Sequence, residues 1–129
     1  MSAVSSRPTL AVLGGTGQLG GALARRWVRA GYPVILGSRD ASRAADAAAG
    51  LAAEGGVPVR GLANRAAAAA ADIVVVTVPW ATQRAVLEDI RPVATGKLVV
   101  DTTVPLVPPR VMRVQLPAEG SAAVRAQQI

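Results

Sequence analysis

Thr9-Leu10-Ala11-Val12-Leu13-Gly14-Gly15-Thr16-Gly17-Gln18-Leu19-Gly20 is the stretch that decides how this chain reads. Its first five residues are a short apolar run, partly β-branched, that stops at glycines, as a fully buried strand does. Gly15, Gly17 and Gly20 then stand in Gly-x-Gly-x-x-Gly spacing. Between a strand and a helix, one such glycine permits a tight turn, one lets the backbone approach a pyrophosphate, and one lets helix and strand pack closely. A side chain at Gly17 would occupy the space of the phosphates. The helix N-terminus adds unpaired N–H donors and a partial positive charge, an anion site that needs no basic side chain. Glycine-rich turns also occur as simple loop closures, so the context has to carry the reading.

Downstream of the turn, Leu19, Leu23, Trp27 and Ala30 recur at helical spacing with Arg25, Arg26 and Arg29 toward the other side, and Gly31 supplies a stop. A second strand, Val34-Ile35-Leu36, ends at Gly37-Ser38-Arg39, and an alanine-rich helix is expected from about Ala41 to Glu54. A weak third strand is expected at Val57 to Leu62. Ala66 to Ala71 reads as a short crossover helix, because alanine is the best helix former. Ile73-Val74-Val75-Val76-Thr77-Val78 is the clearest strand, closed by Pro79-Trp80. Thr82 is placed to cap a helix containing Val86, Leu87 and Ile90, and Lys97 to Asp101 forms a fifth strand before prolines at 105, 108 and 109. Ser121 to Ile129 reads as a last helix. Strands alternating with helices of this length specify an α/β fold, a doubly wound parallel sheet of the Rossmann type.

At 129 residues the chain has the length of one domain, read as a flexible N-terminus over 1–8 and a nucleotide-binding Rossmann domain over 9–129. Hydrophobic residues make up 51% of it and aromatics only 2%, so its layers must pack over small side chains. No run approaches a membrane span, and the start, Met1 to Pro8, lacks the apolar region of a signal peptide, so a cytoplasmic protein with no membrane role is expected. Cysteine and histidine are absent, which removes disulfides, thiolate catalysis and Cys-ligated metal, and leaves carboxylates and Tyr32 as titrating groups for acid/base work. The net charge of +6 is spread over scattered arginines without interleaved aromatics, which reads as a solvated surface and not as a nucleic-acid interface.

Selectivity between dinucleotides is set at the end of the second strand, where an enzyme preferring NAD places an Asp or Glu on the ribose 2′-hydroxyl. This chain has Ser38 and Arg39 there, which suit a 2′-phosphate: Ser38 can donate a hydrogen bond and Arg39 can make charge-assisted contacts. NADP(H) is therefore expected over NAD(H). Arg43, one helical turn on, can reach the same phosphate. Asp40 is expected to cap the second helix and point away. The plainer alternative leaves Arg39 and Arg43 as exposed charges.

Three motifs, Leu13 to Gly20, Gly37-Ser38-Arg39 and Thr77-Val78-Pro79-Trp80, together resemble the NADPH-dependent reductases of the deazaflavin coenzyme F420. The resemblance implies that the glycine turn, from Gly15 and Thr16 through Gly17, Gln18 and Leu19 to Gly20, lies on the pyrophosphate. It implies that Ser38 and Arg39 take the 2′-phosphate and that Val78, Pro79 and Trp80 line the nicotinamide end. It also implies hydride transfer between the nicotinamide and the deazaflavin, with no obligatory acid/base side chain and coenzyme F420 as co-substrate. Without it, Pro79-Trp80 reads as a strand stop and a packing residue. Members of that family continue past the point where this chain stops, so a fragment, a truncated gene or a missing wall supplied by a partner, a second copy included, is expected. Two other readings are a non-catalytic NADP-sensing module, like the Gly-Gly-Thr-Gly regulators of the short-chain dehydrogenase superfamily, and a reductase of another acceptor. Against active short-chain dehydrogenases, Tyr32 is followed four positions later by Leu36, so the Tyr-x-x-x-Lys pair is absent.

Overall fold

A computed structural model describes residues 7–129. The flexible N-terminus expected over 1–8 lies outside the described residues except for Arg7 and Pro8. Arg7 is anchored, with its guanidinium donating to the Ala30 carbonyl and sitting 5.0 Å from the centre of the Tyr32 ring.

Five parallel strands form one sheet in the order β3-β2-β1-β4-β5, with β1 at Leu10–Leu13, β2 at Val34–Ser38, β3 at Val59–Ala63, β4 at Ile73–Val76 and β5 at Leu98–Asp101. The chain moves outward from β1 through β2 to β3, then returns to the other side of β1 for β4 and β5. The carboxyl ends of β1 and β4 therefore flank the switch point at which open α/β sheets hold their ligands. Helices α1 (Gln18–Arg29), α2 (Ala41–Ala52), α3 (Asn64–Ala70), α4 (Gln83–Ala94) and α5 (Ala122–Gln128) complete the order, with a short 3₁₀ turn at Trp80–Thr82.

The period-2 alternation of the strands separates two cores. Ala11, Leu13, Ile35, Val74 and Val76 face α3 and α4, meeting Ala67, Ala68, Val86, Leu87 and Ile90. Val12, Val34 and Leu36 face α1 and α2, meeting Ala24, Val28, Ala48 and Leu51. The outermost strand is covered on one side only: Leu98 and Val100, in register with Ile73 and Val75, are 61% and 41% exposed.

Some local expectations shift. The stripe that α1 buries is Gly20, Ala24 and Val28, one position on from the expected one, while Leu19 is exposed and Leu23 and Trp27 are half-buried. Small residues win because α1 lies close on the sheet. Thr82 does not cap α4 with its side chain; its hydroxyl donates to the Pro79 carbonyl at 3.0 Å inside the 3₁₀ turn. The third strand and the crossover helix both exist, displaced by about two residues from the expected bounds.

Candidate functional site

The glycine turn is held by backbone bonds from two directions. The Gly37 carbonyl at the end of β2 accepts the N–H groups of Gly14 at 3.0 Å and Gly15 at 3.1 Å, and the Gly14 carbonyl accepts that of Gly17 at 3.0 Å. Gly14, outside the three-glycine spacing, takes the positive φ of +79° that only glycine adopts without strain. A Cβ on Gly15 would lie 2.8 Å from both Leu36 Cδ2 and the Val12 carbonyl, so this residue is required by packing. One on Gly20 would lie 2.5 Å from Thr77 Oγ1, which makes Gly20 the close-packing glycine between α1 and the end of β4. At Gly17 a Cβ would meet only the Gly14 carbonyl, at 3.3 Å. That single contact is tight, but Gly17 is otherwise exposed, so its backbone can be approached from outside.

Thr77 fixes the other wall. Its N–H and its hydroxyl both donate to the Leu13 carbonyl, at 2.9 and 2.7 Å, clamping the carboxyl ends of β1 and β4 together. Thr102 repeats the arrangement on the Val76 carbonyl, at 3.1 Å through its N–H and 2.9 Å through its hydroxyl.

At the end of β2, Ser38 Oγ accepts the Asp40 N–H at 3.1 Å, which leaves the hydroxyl proton available to a ligand. Asp40 caps α2 as expected, its Oδ1 accepting the N–H groups of Ser42 at 3.0 Å and Arg43 at 3.3 Å and the Ser42 hydroxyl at 2.6 Å. Those bonds, the one from the Ser42 side chain first, hold the Asp40 carboxyl below its ordinary range, so the cap is charged at neutral pH. Arg39 and Arg43 are exposed and make no ion pair among the described residues.

These segments converge on one cleft of ≈ 750 Å³ across the carboxyl ends of β1, β2 and β4. Of the expected site residues, Thr16, Gly17, Gln18, Ser38, Arg39, Arg43, Val78 and Pro79 line it. Gly15 and Gly20 are buried behind the turn, where they shape it, and Leu19 is exposed outside the lining. Trp80 also lies outside it: the Arg125 guanidinium of α5 covers its ring at 4.3 Å. The cleft further contains Gly14, Asp40, Asn64, Thr77, Thr82 and Val86, which the motif reading did not assign to it. Asp40 thus lines the cleft even while its Oδ1 is turned onto the helix. Asn64 carried no motif signal; only its position just after a strand's carboxyl end could have suggested it.

A second concavity of ≈ 570 Å³ lies between α4, β5 and α5. Its Lys97 ammonium is already engaged, donating to the Ala68 and Ala69 carbonyls at 2.7 and 2.9 Å at the end of α3. Among the described residues no helix is long and apolar enough to cross a membrane.

Residues 9–105 match the family described as NADP oxidoreductase, coenzyme F420-dependent. An F420-dependent NADP reductase of Methanothermobacter thermautotrophicus is 43% identical over 123 residues, covering 91% of this chain and 53% of its own. One from Methanocaldococcus jannaschii is 30% identical over 132 residues, covering 93% and 57%. Among solved structures, a candidate F420-dependent NADP reductase from Arthrobacter sp. FB24 superposes with a TM-score of 0.75 at 27% identity, over 94% of this chain and 57% of that one. The chain spans about half the length of the curated relatives it matches.

Proposed function

The chain belongs to the coenzyme F420-dependent NADP oxidoreductase family, and from that premise we propose that it binds NADP(H) in the cleft at the switch point and presents the nicotinamide for hydride exchange with the deazaflavin. The carrying observation is the conjunction of an exposed Gly17 with Arg39 and Arg43 beside the end of β2, neither in an ion pair among the described residues. The turn offers space that a Cβ would fill, and Ser38, Arg39 and Arg43 stand where a ribose 2′-phosphate needs donors.

In this reading the N-terminus of α1 and the glycine turn hold the pyrophosphate through backbone N–H groups. Ser38 donates its free hydroxyl proton to the 2′-phosphate, and Arg39 and Arg43 neutralise it. Val78, which packs against the turn at Gly14, and Pro79 orient the nicotinamide end. When bound, the nicotinamide supplies or accepts the hydride. The protein's part is orientation and exclusion of water, which a chain with neither His nor Cys can perform. Trp80 acts indirectly, as the platform that seats Arg125 and hence α5 beside the site.

The deazaflavin's own pocket and a cytoplasmic setting belong to the same proposal. So does self-association, which the uncovered Leu98 and Val100 on β5 support.

The test is calorimetric titration with NADPH and NADH, followed by addition of coenzyme F420 while its oxidised absorbance band is watched. Tight NADPH binding with bleaching is the expected result. Binding without bleaching would leave a nucleotide-binding or sensing module, and no preference for NADPH over NADH would overturn the assignment of the cleft.

A further inference from the structure

Three side chains bury a polar atom that has no partner among the described residues: Asn64 Oδ1, Gln83 Oε1 and Arg125 Nε. Such atoms are rare because a buried acceptor without a donor loses its water and gains nothing. Gln83 compensates in part, its Nε2 lying 2.7 Å from Asp101 Oδ2, 3.0 Å from Thr103 Oγ1 and 3.1 Å from the Ala122 carbonyl, so it ties β5 to α5. Arg125 lies over Trp80. Asn64 makes no side-chain hydrogen bond among the described residues, is only 6% exposed, and alone of the three forms part of the cleft wall.

Packing does not account for an amide there. The other inward residues of α3 are Ala67 and Ala68, and the Asn64 oxygen lies against Gly37, where an added Cβ would be 2.7 Å from it. An apolar residue would serve that layer better. The position is informative too: Ala63 pairs in register with Ser38, so Asn64 is the next residue past the strand end, beside the Ser38 and Arg39 anion site.

We propose that Asn64 reads the adenosine ribose of the bound nucleotide, its Oδ1 accepting from the hydroxyl adjacent to the 2′-phosphate. The proposal rests on the assignment of the cleft to NADP(H). The unsatisfied atom is an acceptor, and a phosphate presents mainly oxygen acceptors, so its partner must carry a proton. The ribose 3′-hydroxyl is on the carbon next to the one bearing the phosphate that Ser38 and Arg39 hold, which brings it to the β3 side of the cleft. The terminal torsion of Asn is broad, so the carboxamide can swing its oxygen from Gly37 toward the ligand. Free of ligand, the amide is a polar group kept at the expense of the fold. With ligand bound, it completes the recognition of the adenosine half.

The experiment compares the wild-type chain with Asn64→Leu, using adenosine 2′,5′-bisphosphate and inorganic pyrophosphate as separate calorimetric probes, and follows ligand-free melting by circular dichroism. The expected result is a loss of about three- to tenfold in bisphosphate affinity, unchanged pyrophosphate affinity and a melting midpoint no lower than wild type. Unchanged bisphosphate affinity, or an equal loss for both probes, would overturn the role of Asn64 while leaving the nucleotide cleft intact. Failure of the wild-type chain to bind the bisphosphate would overturn the cleft assignment and this inference with it. If the Leu variant does not fold, Asn64→Ala is judged by the same criteria.

Discussion

Gly20 and Thr77 approach so closely that a methyl group on Gly20 would lie 2.5 Å from the Thr77 hydroxyl oxygen and 2.6 Å from the Gly14 carbonyl. The same hydroxyl clamps Leu13, so the helix, the turn and the β1–β4 junction meet at one point. Gly20→Ala therefore forces either α1 outward or the clamp open. Overpacking of this kind costs about 1–3 kcal/mol, read as a drop of roughly 4–8 °C in melting midpoint per kcal/mol for a domain of about 100 residues. Gly50→Ala is the internal control: Gly50 is in α2 with nothing within 4 Å of an added Cβ, and the exchange should stabilise by about 0.4–1 kcal/mol. A Gly20→Ala chain that melts with wild type would show that the approach is not tight.

The contrast between these glycines explains how far the sequence could be read. The strands β1 and β4 are apolar and buried, so composition alone announces them, and the three-glycine spacing marks the turn between β1 and α1. On α1, hydrophobicity points to large side chains as the inward ones, whereas a helix packed tightly on a sheet turns Gly20, Ala24 and Val28 inward. In β3, Gly61 is needed because α2 rides directly on it at Ala44, a close backbone approach for which a lone glycine inside a strand is the only sequence signal. Asn64 is illegible for another reason: an isolated amide in an alanine-rich segment says nothing until its unpartnered oxygen and its place in the cleft are seen together.

Arg39→Ala tests the end of β2. Charge-assisted hydrogen bonds to a phosphate contribute about 1.5–3 kcal/mol, so NADPH affinity should fall roughly ten- to a hundredfold while NADH affinity changes little. Calorimetry with both nucleotides decides the matter. Equal losses would mean that Arg39 does not discriminate between them, and that its exposed guanidinium is a surface charge.

Asp40 links pH to the same region. Its carboxyl is held below its ordinary value of 3.8 by the Ser42 side chain and the N–H groups of Ser42 and Arg43. A folded-state value below the unfolded one means that the stabilisation is present above about pH 4 and is lost as pH falls through the lowered value. Asp40→Asn keeps a good N-cap but removes the titration, so the gap in melting midpoint between the two chains should shrink from pH 7 to pH 3. Because Asp40 also lines the cleft, removing its negative charge should tighten NADPH binding at neutral pH. Weaker binding by the Asn variant would show that the carboxylate helps to order the site.

Lys97 closes the carboxyl end of α3 from a distance in sequence. Its ammonium donates to the Ala68 and Ala69 carbonyls at 2.7 and 2.9 Å, satisfying acceptors that the end of a seven-residue helix leaves without intrahelical partners. A short alanine helix with no side-chain cap at its N-terminus depends on such outside help, since isolated helices of this length do not persist in water. Lys97→Met retains the aliphatic stem and removes the charge, at an expected cost of about 1–2 kcal/mol, as for a cation at a partly buried helix C-terminus. The loss should appear in thermal melting and as faster amide exchange over residues 67–71, with exchange in α1 and α2 changed only by the global loss of stability. Exchange rising equally in all helices would mean that Lys97 supports the domain as a whole, and that α3 does not depend on it locally.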